Sequence, residues 1–147
     1  MHRDVKPANI LISTRRGSEH AFLTDFGVSK HRQGDPQLTG TGLAIGTADY
    51  IAPEQAQGRE VDGRADTYAL ACVLFQALAG HAPFQGDSDL ERLWAHVHEP
   101  VPELSAIRPD LPRALGTALA TALAKDPGHR QQSAGAFASE VSAALAE

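Results

Sequence analysis

A chain of 147 residues that is 42% apolar and 21% charged holds enough hydrophobic material for one globular domain with its own core, which excludes a disordered or low-complexity chain. Thirteen basic residues against eighteen acidic ones leave a formal charge of −5, so no global basic field is present to hold nucleic acid, and any phosphate binding must be local. A lone cysteine, Cys72, excludes an internal disulfide and reads as a small buried hydrophobe suited to a reducing compartment.

The first half mixes short apolar runs with polar turns. Asn9 to Ser13 and Ala21 to Phe26 read as strands, joined by a hairpin connection at Arg15, Arg16, Gly17 and Ser18. Gln33 to Gly46 is rich in glycine and threonine without apolar periodicity, which reads as a long surface loop of functional character. From about residue 53 the period becomes helical. Ala65 to Ala79 is apolar nearly all round, as in a helix buried on most sides, and Gly80 is placed to cap its end. Leu90, Leu93, Trp94 and Val97 fall at i, i+3, i+4 and i+7 behind a Ser88/Glu91 capping box, which predicts an amphipathic helix. Leu111, Leu115, Leu119 and Leu123 predict another, with Asp110 as its cap and Pro112 in its first turn; Phe137, Val141 and Leu145 predict a third. His96 and His98, two apart, point away from each other on a helix and read as a solvated helix end rather than a metal site. No apolar run reaches the roughly 20 residues of a bilayer span, and no targeting signal is visible.

Three clusters occur in fixed order: His2-Arg3-Asp4-Val5-Lys6-Pro7-Ala8-Asn9, Asp25-Phe26-Gly27, and Ala52-Pro53-Glu54 closing the glycine-rich loop. With these residues in this order the chain resembles the catalytic half of a protein kinase, of the eukaryotic-like (Hanks-type) bacterial serine/threonine class. Phosphoryl transfer through a loose transition state needs positioning and charge neutralisation more than covalent chemistry. Asp4 would accept or orient the proton of the attacking hydroxyl, Lys6 would set an ammonium near the transferred phosphate, and Asn9 and Asp25 are hard oxygen donors suited to magnesium. Gly27 lets the backbone turn away after the metal ligand.

The resemblance carries further roles. Lys6 and Thr47, in Gly46-Thr47-Ala48-Asp49-Tyr50, fit a serine/threonine kinase rather than a tyrosine kinase, with Thr47 tying the substrate loop to Asp4 and Lys6. Arg3 would gain a partner when Thr39 or Thr41 is phosphorylated, since phosphate adds about two charges and three acceptor oxygens. Glu54 and Arg130 would form a buried ion pair, and Asp66 would accept hydrogen bonds from the catalytic-loop backbone. Ala71 departs from the family's usual glycine. His2 is expected to hydrogen-bond within the catalytic loop, not to act as a base.

The implied fold is α+β and mostly helical: a kinase C-lobe of catalytic loop, short β-hairpin, activation loop and helical bundle, with residues 1–147 forming a partial kinase domain. The sequence contains no Gly-x-Gly-x-x-Gly loop and no Val-Ala-Ile-Lys-like strand, so the nucleotide-covering lobe and the helices before the His-Arg-Asp motif are expected to be absent. Part of Ala65 to Ala79 would then lack cover. Two functional hypotheses stay open: a catalytic-domain fragment that transfers the γ-phosphate of ATP, with Mg2+, to protein serine or threonine when complete, and a non-catalytic interaction or decoy module. Expected partners are protein substrates and ATP, with no nucleic acid and no membrane span in this chain; the expected location is cytoplasmic, with membrane anchoring of a longer parent left open.

Overall fold

A computed structural model describes residues 1–26 and 48–146. The long loop expected over Gln33 to Gly46, and with it Gly27, Thr39, Thr41 and Thr47, lies outside the described residues.

After the catalytic-loop residues, a single 3-10 turn over Pro7–Asn9 leads into β1 (Ile10–Arg15), which pairs antiparallel with β2 (Ser18–Leu23) from Ile10↔Leu23 to Arg15↔Ser18. Arg16 and Gly17 both have positive φ, at 52° and 81°, the handedness that matches the twist of a two-residue hairpin. The hairpin therefore forms where expected. β1 begins one residue later than the apolar run because Asn9 belongs to the preceding turn, and β2 begins at Ser18 and ends at Leu23, earlier than the expected Ala21 to Phe26.

The helices are α1 (Pro53–Ala56), α2 (Arg64–Ala79), α3 (Asp89–His98), α4 (Leu104–Ile107), α5 (Arg113–Ala122) and α6 (Ala134–Leu145). With β1 and β2 as the only strands among the described residues, the domain is α+β and mostly helical, as expected. α2 is the axis of the core: Tyr68, Ala71, Cys72 and Phe75 are completely buried and pack with Phe84, Leu115, Leu119, Leu123 and Phe137 from the surrounding elements. Ala71 sits in this packed interior without displacing it. Burial pushes the Cys72 thiol far up, so it stays protonated and unreactive. Gly80 ends α2 with φ 83° and its amide on the Gln76 carbonyl at 2.8 Å, which fulfils its expected role as a cap.

Leu115 and Leu119 face the core from α5 as predicted, but the helix starts later than expected, with Pro112 as its N-cap residue. Asp110 does not cap it. Arg108 takes both Asp110 oxygens, at 2.8 and 2.6 Å, and this bidentate bond holds the carboxyl below its usual range. In α6 Phe137 is buried while Leu145 is 60% exposed, and Ala144 occupies the inner position instead.

The largest departure concerns α3. Two residues of its apolar stripe face outward, Leu90 at 69% and Trp94 at 58% exposure, Leu93 and Val97 are half-buried, and Ala95 and His96 are buried. Ser88 caps the helix through the Glu91 amide at 3.2 Å, and the Glu91 carboxylate reaches back to the amide of Asp87 at 2.7 Å, one residue short of a reciprocal box. His96 is not a solvated end. Its Nδ1 lies 2.8 Å from the buried Tyr68 hydroxyl, and its ring packs 4.9 Å from Phe84. Lys125 explains why a histidine is tolerated there: its ammonium donates to the last α3 carbonyls, His96 O at 2.7 Å and Ala95 O at 3.3 Å, while lying over the Phe84 face at 3.7 Å.

Desolvation first and the Lys125 charge second push the His96 imidazole down to about 3 from 6.5. The folded state thus keeps it neutral where the unfolded chain takes up a proton. Stability is expected to fall as pH drops from 6.5 towards 3, at up to ~1.4 kcal/mol per unit from this group. Chemical denaturation at several pH values should show that slope reduced in His96→Asn; an equal slope in both chains would exclude His96 as its source.

Gly86 tests how closely α3 is seated. A Cβ there would fall 2.7 Å from the Glu91 Cβ and 3.0 Å from the Arg92 backbone nitrogen, so Gly86→Ala is expected to cost about 1–3 kcal/mol by thermal or denaturant unfolding. An unchanged midpoint would contradict this packing.

Candidate active site

The catalytic loop is held by its backbone. The Asp66 carboxylate, in the first turn of α2, accepts the amide of His2 at 2.6 Å and that of Arg3 at 2.8 Å. Arg3 has φ 71°, a conformation an L side chain adopts at a cost of order 1–3 kcal/mol unless its surroundings enforce it. The double grip on consecutive amides is that enforcement. Gln55 in α1 adds a long contact from its Nε2 to the Arg3 carbonyl at 3.5 Å, while its Oε1 accepts the Ala52 amide at 3.1 Å.

His2 is buried and behaves as expected. Its Nε2 donates to the Thr24 carbonyl at 2.7 Å while Nδ1 accepts the Asp4 amide at 3.3 Å, which spends both ring nitrogens inside the loop. Phe26 meets the His2 ring edge-on at 4.9 Å.

Asp4 is the centre of the cluster. Lys6 Nζ lies 3.0 Å from its Oδ2, and the Asn9 side-chain amide donates to that oxygen at 3.1 Å and to the Asp4 carbonyl at 2.8 Å. Three expected residues are thus brought together on one carboxylate. Because Asn9 commits its N–H group to Asp4, its amide oxygen is the end left for a cation. Thr24 ties the Asp25 segment to the same place, its amide and hydroxyl both bonding to the Asn9 carbonyl at 2.8 and 3.2 Å. Asp25 follows at φ 59°, exposed and in the left-handed region, so the chain turns sharply at this carboxylate.

The donor chemistry suits magnesium. Mg2+ takes hard oxygens, keeps several waters and is held through one or two protein ligands together with substrate phosphates, which is what one Asn and one Asp provide. Among the described residues there is no cluster of three or more His, Cys, Asp or Glu able to hold a resident metal. Concavities at Asp62, Gly63, Arg64 and Gln132, and at Arg15, Arg16, Ser18 and His20, are not lined by any of the four residues assigned here.

Glu54 and Arg130 form the expected buried pair. The guanidinium is bidentate on Glu54 at 2.7 and 2.8 Å, and its other N–H groups go to the carbonyls of Ala124 at 2.7 Å, Lys125 at 3.0 Å and Arg64 at 3.2 Å. Tyr68 lies beneath the guanidinium at 4.8 Å. The pair joins α1 to the turn before α6 and to the start of α2, so it fixes the site's frame. Arg3, assigned as a phosphate receiver, has an exposed side chain.

Sequence reasoning missed Thr24, Gln55, Tyr68 and Lys125. Each acts through a backbone carbonyl or a ring face, and such contacts leave no spacing pattern. Only the adjacency of Thr24 to Asp25 was available as a signal.

Removing one partner of the buried pair strands the other charge. Arg130→Met is expected to destabilise the domain by about 3–5 kcal/mol, and the double change Arg130→Met with Glu54→Leu by much less. Denaturant midpoints decide this; equal losses in the single and double variants would count against the coupling.

Residues 1–141 match the family model described as protein kinase domain. The chain is 47% identical over 138 residues to serine/threonine-protein kinase PknD of Mycobacterium tuberculosis, covering 93% of this chain and 20% of that protein. It is 44% identical over 147 residues to serine/threonine-protein kinase PknH of Mycobacterium bovis, covering 100% and 24%. The crystal structure of the Mycobacterium tuberculosis PknI kinase domain superposes with a TM-score of 0.67 at 34% identity, over 97% of this chain and 45% of that one. The chain therefore spans about a fifth to a quarter of the length of these curated relatives.

Proposed function

The chain belongs to the protein kinase family, in its bacterial serine/threonine branch, and we propose that it carries the catalytic and substrate-docking portion of an enzyme that phosphorylates protein serine or threonine from ATP. The observation that carries this reading is the Asp4 carboxylate held between Lys6 Nζ at 3.0 Å and Asn9 Nδ2 at 3.1 Å on a backbone that Asp66 grips.

In this reading Asp4 Oδ1 or Oδ2 accepts the hydroxyl proton of the substrate side chain as it attacks. Lys6 orients the Asp4 carboxylate and presents positive charge to the transferring phosphoryl group. Asn9 and Asp25 would hold magnesium, which when bound neutralises charge on the phosphates. The exposed Arg3 is the residue we assign to meet phosphate on Thr39 or Thr41, and Thr47 is the proposed link between the substrate loop and Asp4 with Lys6. Intact catalytic residues favour an enzyme over a decoy, since a module released from catalysis has no chemical need for this set.

Two expectations separate the readings. Tested alone, residues 1–147 should show no phosphotransfer and only weak Mg-ATP affinity by calorimetry. The sequence contains no Gly-x-Gly-x-x-Gly motif to position the nucleotide, and binding energy from remote parts of ATP is what aligns its γ-phosphate. Joined to a kinase N-terminal lobe, the chain should phosphorylate a generic protein substrate. Asp4→Asn or Asp25→Ala should then lower turnover by several orders of magnitude with the melting temperature little changed. Normal turnover in either variant would refute the residue roles, and a joined, folded but inactive chain would favour the binding-module reading.

A further inference from the structure

Beyond the catalytic cluster, one buried group is used by nothing described so far. His96 is completely buried and neutral, yet it is polar, and its only hydrogen bond among the described residues is with the Tyr68 hydroxyl. Burial keeps that hydroxyl protonated, and it shares a hydrogen bond with Nδ1 of the ring. Nε2 reaches no partner at hydrogen-bond distance among the described residues, although the backbone of Asp49 and Ala48 lies where it favours a ring proton.

One turn earlier on the same face of α3, Arg92 reaches the same stretch of chain. Its guanidinium donates to the Gly86 carbonyl and pairs with Asp89, both at 3.1 Å, and lies 3.6 Å from the Asp49 carboxylate. The first two contacts hold the Arg92 side chain in place, so its reach towards Asp49 is preset. Ala48 is buried, and Tyr50 donates its hydroxyl to Gln76 of α2 at 2.6 Å. Residues 48–50 are thus approached from two helices, at the point where the chain enters the Ala-Pro-Glu turn that starts α1.

We infer that Arg92 is a positioning residue that anchors residues 48–50 through the Asp49 carboxylate. For substrate docking, the significance of the anchor rests on the kinase reading, because residue 48 directly follows Thr47; the anchor itself does not.

The test therefore uses the 147-residue chain and needs no activity. Backbone 15N order parameters of residues 48–50 are expected near the rigid value of ~0.85 and should fall to about 0.6 or lower in Arg92→Gln, with α5 and α6 unchanged. Arg92→Lys, which keeps the charge, should restore most of the rigidity. Unchanged order parameters in Arg92→Gln, loosening spread evenly through the helices, or no difference between Lys and Gln at position 92 would each overturn the Arg92 anchor.

Discussion

Asp66 is the constraint on which the rest of the site depends. One carboxylate at the start of the buried central helix accepts two successive backbone amides, and so converts the rigidity of the core into the rigidity of a loop. The loop needs this because Arg3 sits at positive φ, where the backbone would otherwise relax. With Arg3 held, Asp4 projects from a defined position, and Lys6 and Asn9 converge on its carboxylate. The two Asp66 bonds, at 2.6 and 2.8 Å, are short, which is the geometry expected when placement must be accurate.

A buried charge works in a similar way at the same end of α2. Arg130 uses its N–H groups on Glu54 and three carbonyls, so desolvation of the guanidinium is offset by a full set of acceptors. It holds α1 against the helical half, and α1 in turn brings Gln55 towards the Arg3 carbonyl. Both anchors thus reach the backbone of Arg3, Asp66 at its amide and Gln55 at its carbonyl. Apolar packing around Tyr68, Phe75, Leu115 and Leu119 supplies the body on which both are mounted.

α3 combines a polar inner face with an apolar outer one, and a general rule explains the inversion. A helix buries whichever face has partners, and here the partners include the Tyr68 hydroxyl, the Asp49 carboxylate and the Lys125 ammonium beside the Phe84 ring. Leu90 and Trp94 stay exposed, as do Leu11, Ile12 and Phe22 on the hairpin. The half-buried side chains of α2, Leu70 and Leu74 among them, expose less than the reading of an uncovered central helix implied.

The sequence alone determined the family, the helix-rich α+β class and the residues that converge on Asp4, because those depend on residue types at fixed short spacings: Asp4 to Lys6 to Asn9 is a local loop whose chemistry is legible in order. It also determined the hairpin, since Arg16-Gly17 between two apolar runs can close in few ways. The Glu54–Arg130 pair was legible only through resemblance, as its partners are far apart in the chain. Tertiary structure decided what periodicity cannot encode. An i, i+3, i+4, i+7 stripe marks an apolar face but not whether a neighbour covers it, so α3 pointed the other way; His96, polar by type, went inside because Tyr68, Phe84 and Lys125 meet there from distant parts of the chain.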